Sequence, residues 1–119
     1  MKKVRILNKS RGTALGEAIQ VADTGPTRQK GLLGRAGLAP GEGLWIVPCE
    51  AIHMFFMRFA VDAIFVDRQR RVVKDVRDLR PWRMAIGWRA RSVIELPVGT
   101  IDATGTEKGD QLEITAQDA

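Results

Sequence analysis

One cysteine and one histidine are all that the 119 residues provide. A lone Cys49 excludes an internal disulfide and any multi-cysteine metal centre, so a reducing compartment is the default expectation. A metal site drawn from Cys49, His53, Asp62 and Glu50 would lack the paired Cys/His spacing of zinc sites; no metal and no other cofactor is expected. No apolar run approaches the ~20 residues needed to span a bilayer. The opening MKKVRILNKSRG is basic but has no apolar h-region, so it does not read as a secretory signal and a cytoplasmic location is expected.

What is present is globular in composition: 45% hydrophobic and 28% charged residues, enough for a core and too apolar for disorder. The length suits one domain over residues 1–119, with its core over about 18–115. Twelve glycines and five prolines imply tight turns and short elements.

Period-2 alternation predicts strands over 2–8 and 18–23, paired as an N-terminal hairpin through a turn at Ser10–Gly12. Thr24 offers a helix cap and Pro26 an early helical position, which predicts a short helix over Arg28–Leu33 stopped at Gly34. Residues 37–43 read as loop. Strands are expected at 44–47 and 52–56, as neighbours, and at 63–66, 72–76, 92–96 and 111–115, with 63–76 a hairpin. Residues 79–90 read as an irregular loop anchored by Trp82 and Trp88. Pro97 opens a second short helix over Gly99–Ala103, with Gly105 as its cap. The class expected is mainly β: a small antiparallel sandwich or barrel with two short helices.

The run from His53 to Asp67 is the most apolar in the chain, yet His53, Arg58 and Asp62 interrupt it. Buried ionisable groups must be paired or hydrated, so this block is the candidate site for small-molecule chemistry. His53, Arg58 and Asp62 are the candidate ligand-facing residues: a guanidinium binds carboxylate or phosphate by two points unless it is locked to an acid such as Asp62. Cys49 and His53 are the candidate catalytic pair, since a thiol beside an imidazole can be activated. Four residues bring such a pair together on a helix, whereas this segment reads as strand, so structural roles rank ahead.

The net charge of +5 is uneven. Residues 68–91 hold nine basic side chains against Asp75 and Asp78, a local charge of +7. Arg70, Arg71, Lys74, Arg77, Arg80 and Arg83 are the candidate contacts for nucleic acid or another polyanion, with Trp82 and Trp88 as stacking platforms. A solvated face that discourages edge pairing is the plainer account.

Taken together, Val21–Thr24, Lys30–Leu33, Gly41–Leu44, Met54–Asp67, Arg71–Val73, Leu79–Trp82, Val93–Pro97 with Gly99-Thr100, and Gly109–Leu112 resemble domain-of-unknown-function family 192, also called uncharacterised protein family 0127. The chain looks like the branch with a Cys-x-x-Ile-His start and a Met-Arg-Phe-x-x-Asp core, here Cys49–His53 and Met57–Asp62. It departs from that pattern at Met54, where a small hydroxyl residue is common, and at Ala60, where proline is usual. The resemblance implies a compact, mostly β domain and no particular activity. The resulting expectation is a small binding or accessory module for a small anionic ligand or a partner protein. A Cys/His enzyme and a polyanion binder stand as the alternatives.

Overall fold

The computed structural model describes residues 1–117. Nine strands and two short helices follow one another as β1 (Lys3–Asn8), β2 (Thr13–Ala22), α1 (Gly25–Lys30), β3 (Glu42–Ile46), β4 (Ala51–His53), β5 (Val61–Val66), β6 (Val72–Leu79), β7 (Met84–Ile86), β8 (Ser92–Leu96), α2 (Thr100–Thr104) and β9 (Leu112–Ala116). Seven strands form one sheet in the order β6-β5-β8-β3-β2-β1-β9, and β4 pairs with β7 in a separate two-stranded ribbon. Mainly β is what the sequence predicts. One pairing departs from the antiparallel expectation: β2 and β3 run parallel, Ala18 to Ala22 beside Glu42 to Ile46. The sheet curls until its edges touch. Arg71 bridges Gln111, and the N–H groups of Val72 and Leu112 donate to the carbonyls of Asp110 and Arg70, both at 2.9 Å.

The curl makes two apolar layers. Ile6, Ile19, Ile64, Val66, Ile94 and Leu112 gather on the inner face with Ile101 of α2. Leu44, Ala63, Phe65 and Val93 point to the outer face, where Leu32, Ile52, Met54 and Ala85 cover them. Every residue of β5 and β8 is therefore buried, although their side chains alternate between the layers. Each large apolar side chain so covered contributes on the order of 1.5–3 kcal/mol.

Close approach is built into β3. A Cβ on Gly43 would lie 2.7 Å from the backbone oxygen of Glu95, which cannot swing aside as a side chain can. Gly43→Ala should cost about 1–3 kcal/mol, visible as a lower urea midpoint at unchanged slope. A change within a few tenths of a kcal/mol would mean that β3 and β8 can part.

Several expectations need correction. The first helix starts and stops three residues early: Thr24 and Thr27 form a capping box and Pro26 sits in the first turn, but Gly31 (φ 50°) ends the helix before Leu32 and Leu33. The second covers Thr100–Thr104, one residue later than expected, with Gly105 capping it as the sequence predicts. The strand expected over 52–56 is only Ala51–His53, and its partner is β7 rather than the 44–47 strand. Residues 79–90 are no plain loop, since β6 continues to Leu79 and β7 lies within them. Neither tryptophan anchors that segment: Trp82 is 60% and Trp88 80% exposed. Among the described residues no helix is long and apolar enough to cross a membrane.

Candidate functional site

His53, Arg58 and Asp62 do not converge. Alternation along β4 sends Ile52 inward and His53 outward, where its ring stacks on Phe55 at 4.7 Å and Nδ1 accepts a long hydrogen bond (3.4 Å) from the Phe55 N–H. Arg58 is exposed and, among the described residues, makes no hydrogen bond or ion pair. Asp62 is 1% exposed and faces elsewhere. Its Oδ1 accepts from the N–H of Asp78 (3.0 Å), and its Oδ2 from those of Gly99 (3.1 Å) and Ile101 (2.9 Å). That carboxylate ties β5 to the end of β6 and to the start of α2, whose cap residue, Gly99, has no side chain to do so.

Two cavities adjoin at the segment leaving β3. The first, of about 340 Å³, lies between α1 with its following turn, residues 48–53, and β8; Arg28, Lys30, Leu32, Cys49, His53 and Glu95 are among its lining residues. The second, of about 620 Å³, is lined by Arg28, Arg68, Arg89 and Arg91, with Glu50 and Asp67 the acids present. Arg28, Pro48 and Cys49 belong to both, and the Arg28 guanidinium donates to the Pro48 carbonyl at 3.3 Å. Backbone bonds hold this wall: the Cys49 N–H donates to Arg91 O (2.8 Å) and the Arg91 N–H to Val66 O (2.7 Å).

Cys49 and His53 line the same cavity without bonding to each other. The thiol donates to Ala51 O at 3.1 Å, and burial pushes it above its ordinary pKa, outweighing that bond. An activated cysteine shows the opposite shift. Cys49 should therefore label slowly with a disulfide reagent at neutral pH and accelerate only in alkaline buffer. Fast labelling at neutral pH would reinstate a thiolate nucleophile.

Glu95 is the unusual group. It sits on β8 two residues from Val93, on the same outer face, and is 4% exposed. Among the described residues no hydrogen bond or ion pair reaches its carboxyl, and burial raises it from 4.5 to about 7. Among the described residues no three His, Cys, Asp or Glu side chains come together to hold a metal.

The sequence profile of domain-of-unknown-function family 192, described as uncharacterized ACR, matches residues 6–114. The chain belongs to this family. Among its relatives, a UPF0127 protein of Thermococcus sibiricus is 37% identical over 117 residues, covering 91% of this chain and 73% of that one. Another, from Pyrococcus abyssi, is 37% identical over 115 residues and covers 91% and 95%. Two solved structures share the fold. A candidate transcription regulator from Sinorhizobium meliloti superposes with a TM-score of 0.82 at 22% identity, over 95% of this chain and 92% of that one. A protein of unknown function from Novosphingobium aromaticivorans gives 0.77 at 25% identity, over 93% and 83%.

The basic segment of this family 192 chain does not form one free cationic face. Arg77 pairs with Asp75 (2.8 Å) and Asp102 (2.6 Å), and Arg80 with Asp78 (3.2 Å). Lys74 donates to Ile86 O, while Arg70 lies over the Trp45 ring and donates to Ile114 O. Arg71 lies at the seam with Gln111, and Arg83 stands next to the exposed Trp82. The arginines that do share a cavity, Arg68, Arg89 and Arg91, lie in the same segment but join Arg28 from forty residues or more away in sequence. Nothing in their spacing announces that meeting. Beyond the cavities, the β4–β7 ribbon ends in an aromatic group: Phe56, 75% exposed, stands 4.9 Å from Trp82, both at positive φ (63° and 72°), an uncommon backbone state for bulky residues.

Proposed function

We propose that this chain is a binding module for a small anionic ligand, held in the cavity of Arg28, Arg68, Arg89 and Arg91. One observation carries the reading: four guanidinium-bearing residues line one recess, and none forms an ion pair among the described residues. Arginine offers carboxylates and phosphates a planar two-point fork, and each charge-assisted bond contributes about 1.5–3 kcal/mol. His53 belongs to the adjoining cavity and borders the same ligand. This reading does not use Arg58, which lines neither cavity, or Asp62, whose carboxylate accepts from backbone N–H groups.

The test is an NMR titration of labelled protein with inorganic phosphate at fixed ionic strength. Amides of Cys49, Gln69, Ala90 and Arg91 should move together, and the double variant R89A/R91A should bind about tenfold or more weakly. Shifts spread over all basic surfaces, or equal affinity in the variant, would sink the reading. A single-stranded oligonucleotide bound with a steep salt dependence, in place of phosphate, would move the function to the polyanion class.

A further inference from the structure

We propose that the Glu95 cavity is a subsite for a protonated amine, so that the ligand carries an ammonium group as well as an anionic one. The anionic half rests on the reading above; the amine half stands on the first cavity alone. On β8, Val93 and Glu95 face the same layer, where Leu32, Leu44, Ile52, Met54 and Phe65 are among the buried apolar side chains. Packing alone calls for another aliphatic residue at position 95. A carboxyl there must find donors, and the described residues supply none. The charged and titratable groups lining the same cavity are otherwise engaged or stand apart: Arg28 donates to Pro48 O, Cys49 donates to Ala51 O, His53 accepts from Phe55, and Lys30 forms no ion pair among the described residues.

The open acceptor therefore faces a space of about 340 Å³, room for a small head group. Leu32, Ile46, Ile52 and Met57 in its wall suit the methylene carbons next to an amine. An ammonium is compact, donates three hydrogen bonds and supplies the opposite charge that a buried carboxylate requires. Because Arg28, Pro48 and Cys49 form a common wall with the arginine cavity, one molecule can reach both. Glu95 must be ionised to take an ammonium, and burial keeps it protonated up to about pH 7, so the amine's contribution should grow from acidic to alkaline buffer. The pH trend is read against Glu95→Gln, which leaves every other titratable group of the cavity in place.

The experiment compares three probes by NMR titration: ethyl phosphate, phosphoethanolamine and ethanolamine, on the wild type and on Glu95→Gln. Expected at about pH 8 is an advantage of about tenfold for phosphoethanolamine over ethyl phosphate, shrinking near pH 6. In Glu95→Gln the advantage should vanish while ethyl phosphate binds as before. Equal affinities in the wild type, or an advantage retained in the glutamine variant, overturn the proposal. Ethanolamine separates the two readings. If it moves the amides of Leu32, Ile46 and Ile52 in the wild type only, and neither phosphate binds, the amine site stands and the anionic site falls. If no probe shifts those amides in a Glu95-dependent way, the amine site falls, whatever the phosphates do at the arginines.

Discussion

Asp62→Ala is expected to cost about 3–5 kcal/mol, read as a large drop in the urea midpoint or as failure to fold in the cold. The carboxylate is 1% exposed and accepts three backbone N–H groups, from Asp78, Gly99 and Ile101. Alanine leaves those donors facing a small void, and each buried donor without a partner costs about 1–3 kcal/mol. Nothing nearby can substitute: Gly99 caps α2 without a side chain, and Thr100 donates its own hydroxyl to Pro97 O. Asp62→Asn keeps one accepting oxygen and replaces the other by a donor that meets an N–H group, so an intermediate loss is expected. The asparagine variant, if folded, should still bind phosphate like the wild type. A loss below about 1 kcal/mol for alanine would show that Asp62 does not hold these elements together. Phosphate binding lost in a folded asparagine variant would return Asp62 to the ligand site.

Glu95→Gln should stabilise the protein in alkaline buffer and do little in acid. The wild-type carboxyl goes from 4.5 in the unfolded chain to about 7 in the fold. Between those values the folded state binds the extra proton, so stability falls as pH rises through that window and levels off above it. A shift of this size corresponds to about 3 kcal/mol, since one pKa unit is about 1.4 kcal/mol. Glutamine does not titrate. The stability of the variant minus that of the wild type should therefore climb from near zero below about pH 4.5 to about 3 kcal/mol above about pH 7. Urea unfolding of both proteins across that range measures it. A difference independent of pH would mean that Glu95 is ionised and partnered in the fold.

Much of the frame is legible in the chain's residues alone. The β5–β6 hairpin follows from two apolar runs around Asp67-Arg68-Gln69-Arg70, and Asp67 Oδ1 does accept from the N–H groups of Gln69 and Arg71. The second helix follows from Pro97 and Gly105. The β4–β7 pairing does not, because three-residue strands are too short to show a period and their partners are more than thirty residues apart. Nor does the end of α1: Leu32 and Leu33 look like its apolar continuation, while the positive φ of Gly31 has already turned the chain.

The candidate site is harder to see for two physical reasons. Asp62 interrupts an apolar run as a ligand-binding acid would, but its partners are backbone amides, which leave no mark in a sequence. Glu95 does leave one. An acid inside Ser92-Val93-Ile94-Glu95-Leu96 passes for the outward half of an alternating strand only if one face of the sheet is wet. Here α1, its turn and the ribbon cover that second face, so the alternation reports two buried layers instead of one.

The strand order also sets the sequence of events in folding. Val4 to Asn8 lie beside Ala116 to Leu112, so the first strand finds its outer neighbour only when the last has been made. β5 must likewise await β8, which fills the space between it and β3. A chain emerging from the ribosome can zip its two hairpins early, but the inner layer stays open to water until about residue 112 arrives, when Leu112, opposite Asn8, joins Ile6 in that layer. Such long loop closures place the chain among slow-folding β topologies. Truncation within β9 should accordingly release an aggregation-prone half-curl rather than a smaller stable domain.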